Sequence, residues 1–526
     1  MPVSRRVLSP LALVVVLGVA TAACSSSKGA GPQANAGGSQ STGAASGTLH
    51  LAYLADMSVP DPDVFYDIEG NTVILSVYEG LIRYKPDSTD FAPSLATAWQ
   101  VSPDRLNYTF TLRPGVRFHD GTPLDSAAVK TSLQRRVDVG SAPAYMLAQV
   151  ASVDAPDPGT VVIRLKQPVA PFLHYLASSW GPKIISPKAL ADNAGSDHAQ
   201  TWAKDHADGT GPFQLTAFMR GQRYELTRFD GYWGDKARFA KVDIRILPDM
   251  GSQRLQLQSG DLDMILHSFP VAELHSVRAN DKLAVRDFSS FLQSLLYFNT
   301  NKAPFNDLAL RKAVAGAIER DSLVRDVYGS YGKPAASPYP PGILDPSLAP
   351  IAYPPKPGGP VPGAPSVSFA YSADESGVQR RLAELIQQKL SAAGFKVTVK
   401  EVQLPQVYEF ANNLASAPDL LLMTNTPDAA HPDTWARILW GSKGGLNFLG
   451  YSNPRVDAAL DRGSAATDDD ASRQAYAEAG RLLVDDYGIL FLADARDVMV
   501  MGKDLTGVRH VPNYPWALDL AALGRS

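Results

Sequence analysis

Residues 366–402 read SVSFAYSADESGVQRRLAELIQQKLSAAGFKVTVKEV and predict a strand, a helix and a second strand in succession. Between Glu375 and Ala393 the apolar residues recur at helical spacing, and Gly394 is the kind of residue that ends a helix. Two such strands joined by a helix run parallel, with a right-handed crossover. This unit predicts an α/β fold.

A third strand is predicted at 419–424, DLLLMT, which is apolar enough to be buried on both faces. Ligands of open parallel sheets bind just beyond the carboxyl ends of the strands. Asp428 follows this strand closely and is therefore a candidate ligand-binding carboxylate. The alternative is an Asp that stabilises a proline-rich turn. Asp433 is interpreted as a structural residue at the N-terminus of the helix predicted for TWARILW, residues 434–440.

The rest of the chain alternates β-like runs with helical stretches. A helix is predicted at 310–329, and the Pro- and Gly-rich stretch 337–365 is interpreted as a long ordered loop on one lobe rather than as a flexible linker. Further strands are predicted at 48–54, 107–112, 160–165 and 241–247.

Composition excludes several classes of function. The 526 residues carry 49 Lys and Arg against 53 Asp and Glu, a net charge of -4, so no basic field exists to bind nucleic acid. His119, His267 and His431 do not have metal-ligand spacing, and there is no paired-Cys, HExxH or GxSxG motif. We therefore expect no catalytic residue, no metal and no cofactor.

The N-terminal residues predict export. Arg5 and Arg6 precede an apolar stretch from Leu8 to Ala20 and then small residues before Cys24, the single cysteine. This pattern is typical of a signal peptide, here residues 1–23. The cysteine at the cleavage point is similar to that of bacterial lipoproteins, which implies a lipid on Cys24. Residues 24–47 then predict a disordered tether, since they hold no large apolar side chain.

Several stretches together resemble the extracytoplasmic solute-binding proteins of ABC importers, in the class that includes oligopeptide-, dipeptide- and nickel-binding proteins. The densest is residues 77–129, with an EGL turn, a P-LA-W segment, a YTF-LR strand and F-DGTP before a helix. The others follow in the family's order across nearly the whole mature chain: GTGPF at 209–213, GYW at 231–233, QSGDLD at 258–263, YFNTNKAPFND at 297–307 and NPRVDAALD at 453–461.

The resemblance implies a two-lobed periplasmic-binding-protein-like fold of the α/β class, with an extra subdomain inserted in the first lobe. It implies crossings near 298–300 and 489–491, which would act as hinges. Carried onto this chain, the first lobe comprises 48–79, 212–297 and 491–526, the inserted subdomain 80–211, and the second lobe 298–490.

The resemblance also implies a function: extracytoplasmic capture of oligopeptides and their delivery to an ABC permease and ATPase complex, by a monomer anchored through Cys24 to the outer leaflet of the cytoplasmic membrane. Asp428 would pair with the peptide ammonium, and Trp435 would be the aromatic that follows it. Further pocket residues expected by position are Tyr66, Trp180, Tyr371, Trp440 and Asn447.

Two alternatives remain open. One is an oligosaccharide-binding protein of the same family, for which Trp435, Trp440 and Asn447 would supply stacking and neutral hydrogen bonds. The other is a surface lipoprotein that senses peptides. Dipeptide binders take the ligand carboxylate with an arginine after the strand equivalent to 366–372, and here none precedes Arg380. A strict dipeptide clamp is therefore not expected.

Overall fold

The computed structural model of the protein describes residues 47–267, 269–353, 359–374 and 376–526. The predicted signal peptide at 1–23 and the tether at 24–47, Gly47 excepted, lie outside these ranges. Within them, no helix combines the length and the apolar character that crossing a membrane requires.

Two mixed sheets form the centres of two lobes. The first lobe holds a seven-stranded sheet in the order Leu283–Phe288, Asp497–Gly502, Met264–Ile265, Thr48–Tyr53, Lys241–Ile246, Arg223–Arg228, Phe213–Met219. The second lobe holds a six-stranded sheet in the order Gly332–Pro334, Ile489–Ala495, Gln293–Phe298, Leu420–Asn425, Ser366–Ser372, Lys396–Val402. The α/β class is confirmed.

A separate antiparallel sheet lies within 80–211, the range expected for the inserted subdomain, in the order Ala96–Val101, Asn107–Leu112, Thr160–Leu165, Val150–Asp157. Two short ribbons complete the described strands: Ile82–Tyr84 with Phe91–Pro93, and Leu505–Thr506 with Gly524–Arg525.

The α-helices lie between these strands in chain order. Those before the second lobe are Asn71–Val77, Ser126–Val139, Phe172–Ala177, Pro187–Asp192, Met250–Ser259 and Leu274–Arg278. Those of the second lobe are Leu308–Ala317, Arg320–Tyr328, Val378–Ala392, Leu404–Phe410, Pro432–Leu439, Pro454–Ala465 and Asp469–Asp486.

The predicted parallel unit is confirmed. Strand Ser366–Ser372 pairs in parallel with Lys396–Val402 and with Leu420–Asn425. Helix Val378–Ala392 connects the first two strands, and Gly394 follows it with a φ of 98°, a left-handed conformation that side chains disfavour. The strands predicted in the first half of the chain are also found, as Thr48–Tyr53, Asn107–Leu112, Thr160–Leu165 and Lys241–Ile246.

The predicted helix at 310–329 is instead two helices, Leu308–Ala317 and Arg320–Tyr328. The break falls at Ile318, which is extended, and Glu319 begins the second helix by accepting a hydrogen bond from the amide of Ser322 at 3.1 Å. The apolar residues keep their helical spacing across this break, so the sequence pattern predicts one continuous helix.

The chain crosses between the sheets at 289–292 and at Arg496, which differs from the crossings expected at 298–300 and 489–491. Strand Gln293–Phe298 lies inside the second sheet, between Leu420–Asn425 and Ile489–Ala495. All its residues are buried, and an apolar run of this kind fits the centre of either sheet. Residues 293–297 and 491–495 therefore move from the first lobe to the second, while the other boundaries remain a proposal.

The Pro- and Gly-rich stretch packs on the second lobe over its described residues, as an ordered loop should. Tyr339 is 1 % exposed, and its hydroxyl donates to the carbonyl oxygen of Tyr476. Tyr353 is also buried, with its hydroxyl 3.0 Å from the carbonyl oxygen of Ile489. The described part of 337–365 is therefore no linker.

Candidate functional site

A cavity of about 610 Å³ lies between the lobes, a volume typical of small-molecule sites. The first lobe lines it with loop residues between 56 and 69, and Trp180 is added from the segment 80–211. The second lobe contributes the residues that follow strands Ser366–Ser372 and Leu420–Asn425. The ends of two neighbouring parallel strands thus open into the cavity, as expected for an α/β sheet.

Asp428 lies in this cavity, 6 % exposed, at the end of strand Leu420–Asn425. Its Oδ2 accepts a short hydrogen bond from the hydroxyl of Tyr66 and another, 2.6 Å long, from the hydroxyl of Tyr145. No described residue donates a hydrogen bond to Oδ1. One carboxylate oxygen is therefore held by the protein while the other is available to a ligand.

Burial raises the pKa of Asp428 to about 6, and the two tyrosine hydrogen bonds oppose that rise. Burial and the charge of Asp428 raise the pKa of Tyr66 and of Tyr145 well above the usual range, so both remain protonated donors. The site holds an ionised carboxylate near neutral pH at a cost in desolvation. A cationic ligand group would offset that cost.

The loop that carries Asp428 is hydrogen-bonded across the lobes through its backbone. The hydroxyl of Ser178 donates to the carbonyl oxygen of Asp428, and the amide of Asn513 donates to that of Pro427 at 2.8 Å. The backbone N–H of Ala430 donates to the hydroxyl of Tyr84 at 3.0 Å. Residues 427–430, the bridging loop, therefore belong to the second lobe by sequence but pack against the first.

Trp180 and Tyr66 form the wall beside Asp428. Their rings meet edge to face with centroids 5.9 Å apart, and the indole N–H of Trp180 donates to the carbonyl oxygen of Asp67 at 2.7 Å. Both residues were expected in the pocket from the sequence, and the structure places both at the cavity together with Asp428. Tyr145 was not anticipated, since no sequence pattern marks a tyrosine 283 residues before its partner.

A buried ion-pair cluster supports this wall from behind. Arg135 binds Asp61 at 2.6 Å and Asp63 at 2.7 Å, and Arg136 binds Asp63 at 2.9 Å. Arg136 is fully buried and also donates to the carbonyl oxygen of Trp180 at 2.8 Å. The cluster thereby ties the 61–63 loop to the cavity tryptophan. The sequence shows two adjacent arginines and the run PDPD at 60–63, but it does not predict that these residues pair.

Four other expected pocket residues lie outside the cavity. Trp435 is 1 % exposed and donates from its indole N–H to the carbonyl oxygen of Pro338 at 2.7 Å. Trp440 packs against Tyr339 in the core of the second lobe, with ring centroids 4.9 Å apart. Both tryptophans therefore belong to the packing of that lobe.

Asn447 and Tyr371 are also occupied within the second lobe. The Asn447 amide donates to the carbonyl oxygen of Tyr451 at 2.7 Å and so closes a local turn. The Tyr371 hydroxyl donates to Glu401 at 2.6 Å, while the next residue, Ser372, lines the cavity. Neighbouring strand residues point to opposite faces, and here Ser372 rather than Tyr371 lies on the side of the ligand space.

Asp433 is a structural residue in the first turn of helix Pro432–Leu439, as predicted. Its carboxylate accepts a hydrogen bond from the hydroxyl of Tyr476 at 2.8 Å and another from Arg437 at 3.1 Å. The residue that caps the helix is His431, whose ring nitrogen accepts from the backbone N–H of Asp433 at 3.1 Å.

The described cavity lining is acidic. Arg380 lies outside it and pairs with Glu401 at 3.0 Å. The charged lining residues, histidine aside, are Asp56, Asp67, Glu69, Asp374, Asp428 and Arg496. Five carboxylates against one guanidinium favour ligands that carry positive charge.

Residues 90–447 match the family model described as bacterial extracellular solute-binding proteins, family 5 Middle. Among curated proteins, the chain is 31 % identical to the probable D,D-dipeptide-binding periplasmic protein DdpA of Escherichia coli, over 87 % of this chain and 90 % of that protein. It is 29 % identical to the glutathione-binding protein GsiB of Pectobacterium atrosepticum, over 88 % of this chain and 91 % of that protein.

Solved structures share the fold at low identity. The periplasmic binding protein DppA of Helicobacter pylori in complex with the peptide STSA is similar with a TM-score of 0.77 and 23 % identity, over 90 % of this chain and 98 % of that chain. The dipeptide-binding protein of a Pseudoalteromonas species in complex with Met-Leu is similar with a TM-score of 0.79 and 21 % identity, over 91 % of this chain and 100 % of that chain.

Proposed function

This chain belongs to the bacterial extracellular solute-binding proteins of family 5, and on that basis we propose that it captures short peptides outside the cytoplasm and delivers them to the permease of an ABC importer. Relatives named for dipeptide and glutathione binding support a peptide ligand. The protein acts by binding and carries out no chemical step in this proposal. Uptake of labelled peptide by a strain that lacks the gene distinguishes import from sensing. Import predicts that the deletion strain takes up less peptide than the parent.

The observation that carries the proposal is the environment of Asp428. A peptide α-ammonium that leaves water loses several kcal/mol of hydration, and only a close carboxylate offsets that loss. Asp428 is buried, lies at the cavity, and is oriented by Tyr66 and Tyr145 through one oxygen only. We assign Asp428 the ammonium and Tyr66 and Trp180 the walls around the first peptide residue.

Capture is coupled to lobe closure through the bridging loop. Residues 427–430 contact the first lobe through Ser178, Asn513 and Tyr84. A peptide bound to Asp428 therefore adds contacts at the place where the lobes already meet, and it stabilises the closed arrangement. The crossings at 289–292 and Arg496 are the hinges in this proposal.

The oligosaccharide alternative has less support. It depended on Trp435, Trp440 and Asn447, and none of them lies among the cavity residues. The net negative charge of the lining also favours a ligand that carries an ammonium group over a neutral sugar. Peptide binding therefore remains the function that the site supports best.

Short peptides should raise the melting temperature of the purified protein. A ligand that binds only the native state stabilises it by about 2.7 kcal/mol at a concentration 100 times its dissociation constant. A mixed tripeptide library measured by calorimetry should give a saturable upward shift, and neutral oligosaccharides at the same concentration should give none. A shift with the oligosaccharides alone would reverse the choice of ligand.

Peptide affinity should fall in acid. The pKa of Asp428 is raised to about 6 in the protein without ligand, whereas an ammonium needs the ionised carboxylate. Binding should therefore be about tenfold weaker at pH 5 than at pH 7 and level above pH 7 while the peptide ammonium stays charged. Isothermal titration across pH 5–7.5 measures this; an affinity that is flat across the interval would remove the carboxylate from the ligand contact.

We further propose that Cys24 carries a lipid that holds the monomeric protein on the outer leaflet of the cytoplasmic membrane. The support is the sequence: small residues before Cys24, and a polar tether after it that could span between a lipid and the folded body. Mass spectrometry of the mature N-terminal peptide tests the modification directly. Recovery of an unmodified Cys24 at the mature N-terminus would leave an exported protein without an anchor.

A further inference from the structure

A second cavity, of about 540 Å³, lies in the first lobe, apart from the residues that are proposed to hold the peptide. Its walls come from residues between 75 and 86, from the turn at 232–238 and from the C-terminal segment 509–522. It shares no lining residue with the cavity between the lobes. It is therefore a separate place at which a small molecule could bind.

The charge of this cavity is opposite to that of the peptide cavity. Its cationic lining residues are Arg83, Lys183, Lys236, Arg238 and Arg509, and its acidic lining residues are Glu79, Asp235 and Asp519. Arg509 pairs with Asp519 at 3.8 Å. Among the described residues, no carboxylate lies within 4.0 Å of the charged nitrogens of the other four cations. On a chain with a net charge of -4, this concentration of unpaired cations favours an anionic ligand.

Among the acidic residues of this cavity, Glu79 already accepts several hydrogen bonds from the protein. Glu79 is buried and accepts hydrogen bonds from the hydroxyl of Thr210 at 2.9 Å, the hydroxyl of Tyr232 at 3.0 Å and the indole of Trp233 at 2.8 Å. Three donors satisfy its two oxygens, so Glu79 has little capacity left for the neighbouring cations.

Lys183 is a buried cation at the wall of this cavity. It is 4 % exposed, and its ammonium donates one hydrogen bond, to the carbonyl oxygen of Ser178 at 2.7 Å, out of the three it can donate. Burial and the nearby Arg136 lower the pKa of Lys183 to about 7. A ligand anion in the cavity could pair with this buried ammonium and accept its remaining hydrogen bonds.

Aromatic rings supply the remaining wall. The rings of Tyr84 and Tyr514 lie 5.9 Å apart, and Trp233 carries the guanidinium of Arg113 at 4.0 Å from its ring centroid. Such surfaces bind the flat or apolar body of an organic molecule. We propose that this cavity binds a small organic anion, with its carboxylate or phosphate group at Lys183, Arg83 and Arg238 and its body against Tyr84 and Tyr514.

The two cavities are joined by hydrogen bonds. Lys183 donates to the carbonyl oxygen of Ser178, and the hydroxyl of Ser178 donates to that of Asp428 in the bridging loop. Tyr84, at the anion cavity, accepts from Ala430 of the same loop. An anion that fixes Lys183 and Tyr84 therefore acts on the loop that carries the peptide carboxylate. Any effect of anion on peptide affinity must be matched by an equal effect of peptide on anion affinity.

The test uses benzoate and phenyl phosphate as probes, titrated into the purified full chain by calorimetry at pH 6.5 and constant ionic strength. We expect saturable binding of at least one probe. The double change Arg83→Gln with Arg238→Gln alters two exposed side chains and should weaken that binding at least tenfold. Lys183→Met, which replaces a buried amine by a chain of similar length, should weaken it further. The matched control, Lys130→Gln with Arg286→Gln, removes two exposed cations that do not line the cavity and should leave it unchanged.

Peptide binding provides the independent readout. The Arg83 and Arg238 changes should leave the peptide affinity measured without probe within about twofold, because neither residue lines the peptide cavity. Saturable probe binding that the control change reduces as much as the Arg83 and Arg238 change would overturn the proposal, and so would the absence of saturable binding by both probes.

Discussion

Replacing Asp428 with asparagine should weaken peptide binding by roughly 30-fold to several thousand-fold. Truncating one partner of a buried, hydrogen-bonded charge pair costs about 2–5 kcal/mol, which converts to that range of dissociation constants. The Asn side chain keeps the shape and can still accept from Tyr66 or Tyr145, so the change removes mainly the charge. Isothermal titration with one tripeptide that shifts the melting temperature of the unmodified protein measures the effect.

An N-acetylated copy of the same tripeptide identifies the group that Asp428 binds. Acetylation removes the ammonium, so the unmodified protein should lose about as much affinity as Asp428→Asn does. In the Asp428→Asn protein, acetylation should have little further effect, because the partner charge is already gone. Asp67→Asn is the matched control, since Asp67 also lines the cavity but uses its carboxylate to accept from the backbone N–H of Ser58 at 3.0 Å. Equal losses from the two changes would mean that the overall acidity of the cavity, not Asp428, selects the ligand.

The stability of the same variant distinguishes lost contact from lost structure. The folded-state pKa of Asp428 is raised to about 6 from an ordinary value of 3.8, so the ionised carboxylate destabilises the unliganded protein above pH 6, and the cost disappears as the pH falls below 3.8. At neutral pH, asparagine removes a cost of at most about 3 kcal/mol. The unliganded variant should therefore melt no lower than the parent, even though it binds peptide poorly.

Replacing Arg136 with alanine should destabilise the protein by about 3–5 kcal/mol, because it leaves the two buried carboxylates of Asp61 and Asp63 with one guanidinium, that of Arg135, between them. Arg136 is fully buried, binds Asp63 at 2.9 Å and donates to the carbonyl oxygens of Pro62 and Trp180 at 2.7 and 2.8 Å. Loss of the bond to Trp180 should also loosen the cavity wall and weaken peptide binding in the folded fraction. Urea unfolding followed by circular dichroism measures the free-energy change.

Two further variants separate the causes of that loss. Removing Asp63 together with Arg136 should recover part of the stability, since the uncompensated charge is then absent. Arg164→Ala is the surface counterpart: Arg164 pairs with Asp154 at 2.9 Å, and the two side chains are 54 % and 45 % exposed. Its effect should stay within about 1 kcal/mol. A loss in Arg164→Ala as large as that in Arg136→Ala would mean that burial of the pair is not the cause.

The expectations that held were those that depend on local order along the chain. The strand, helix and strand of 366–402 have a local apolar period, and the position of Asp428 after a buried strand follows from that period. Asp433 in the first turn of a helix is equally local. Tyr66 and Trp180 were expected at the pocket through the family resemblance, and both line it.

The expectations that differed from the structure concerned which of two buried environments a residue occupies. Trp435 and Trp440 are aromatic, close in sequence to Asp428 and almost fully buried, yet they fill the core of the second lobe. Strand Gln293–Phe298 reads as a central strand and fits either sheet, and only its pairing placed it in the second. An apolar side chain predicts its own burial, because the hydrophobic effect is non-directional, but it does not predict which residues will pack against it.

By itself the sequence determined the α/β class, the family, the order of the elements between 366 and 425, and the strand end at which Asp428 lies. Only the tertiary structure decided what surrounds that carboxylate: Tyr66, Tyr145 and the Arg136 cluster come from segments about 280 to 370 residues away. The second, basic cavity likewise joins Lys183 to separate stretches at 75–94, 232–238 and 509–522. The physical reason is that hydrophobic burial is non-directional and sets the pattern of each segment, whereas hydrogen bonds and charge pairs require atoms within about 3 Å. Those contacts exist only once the lobes have packed.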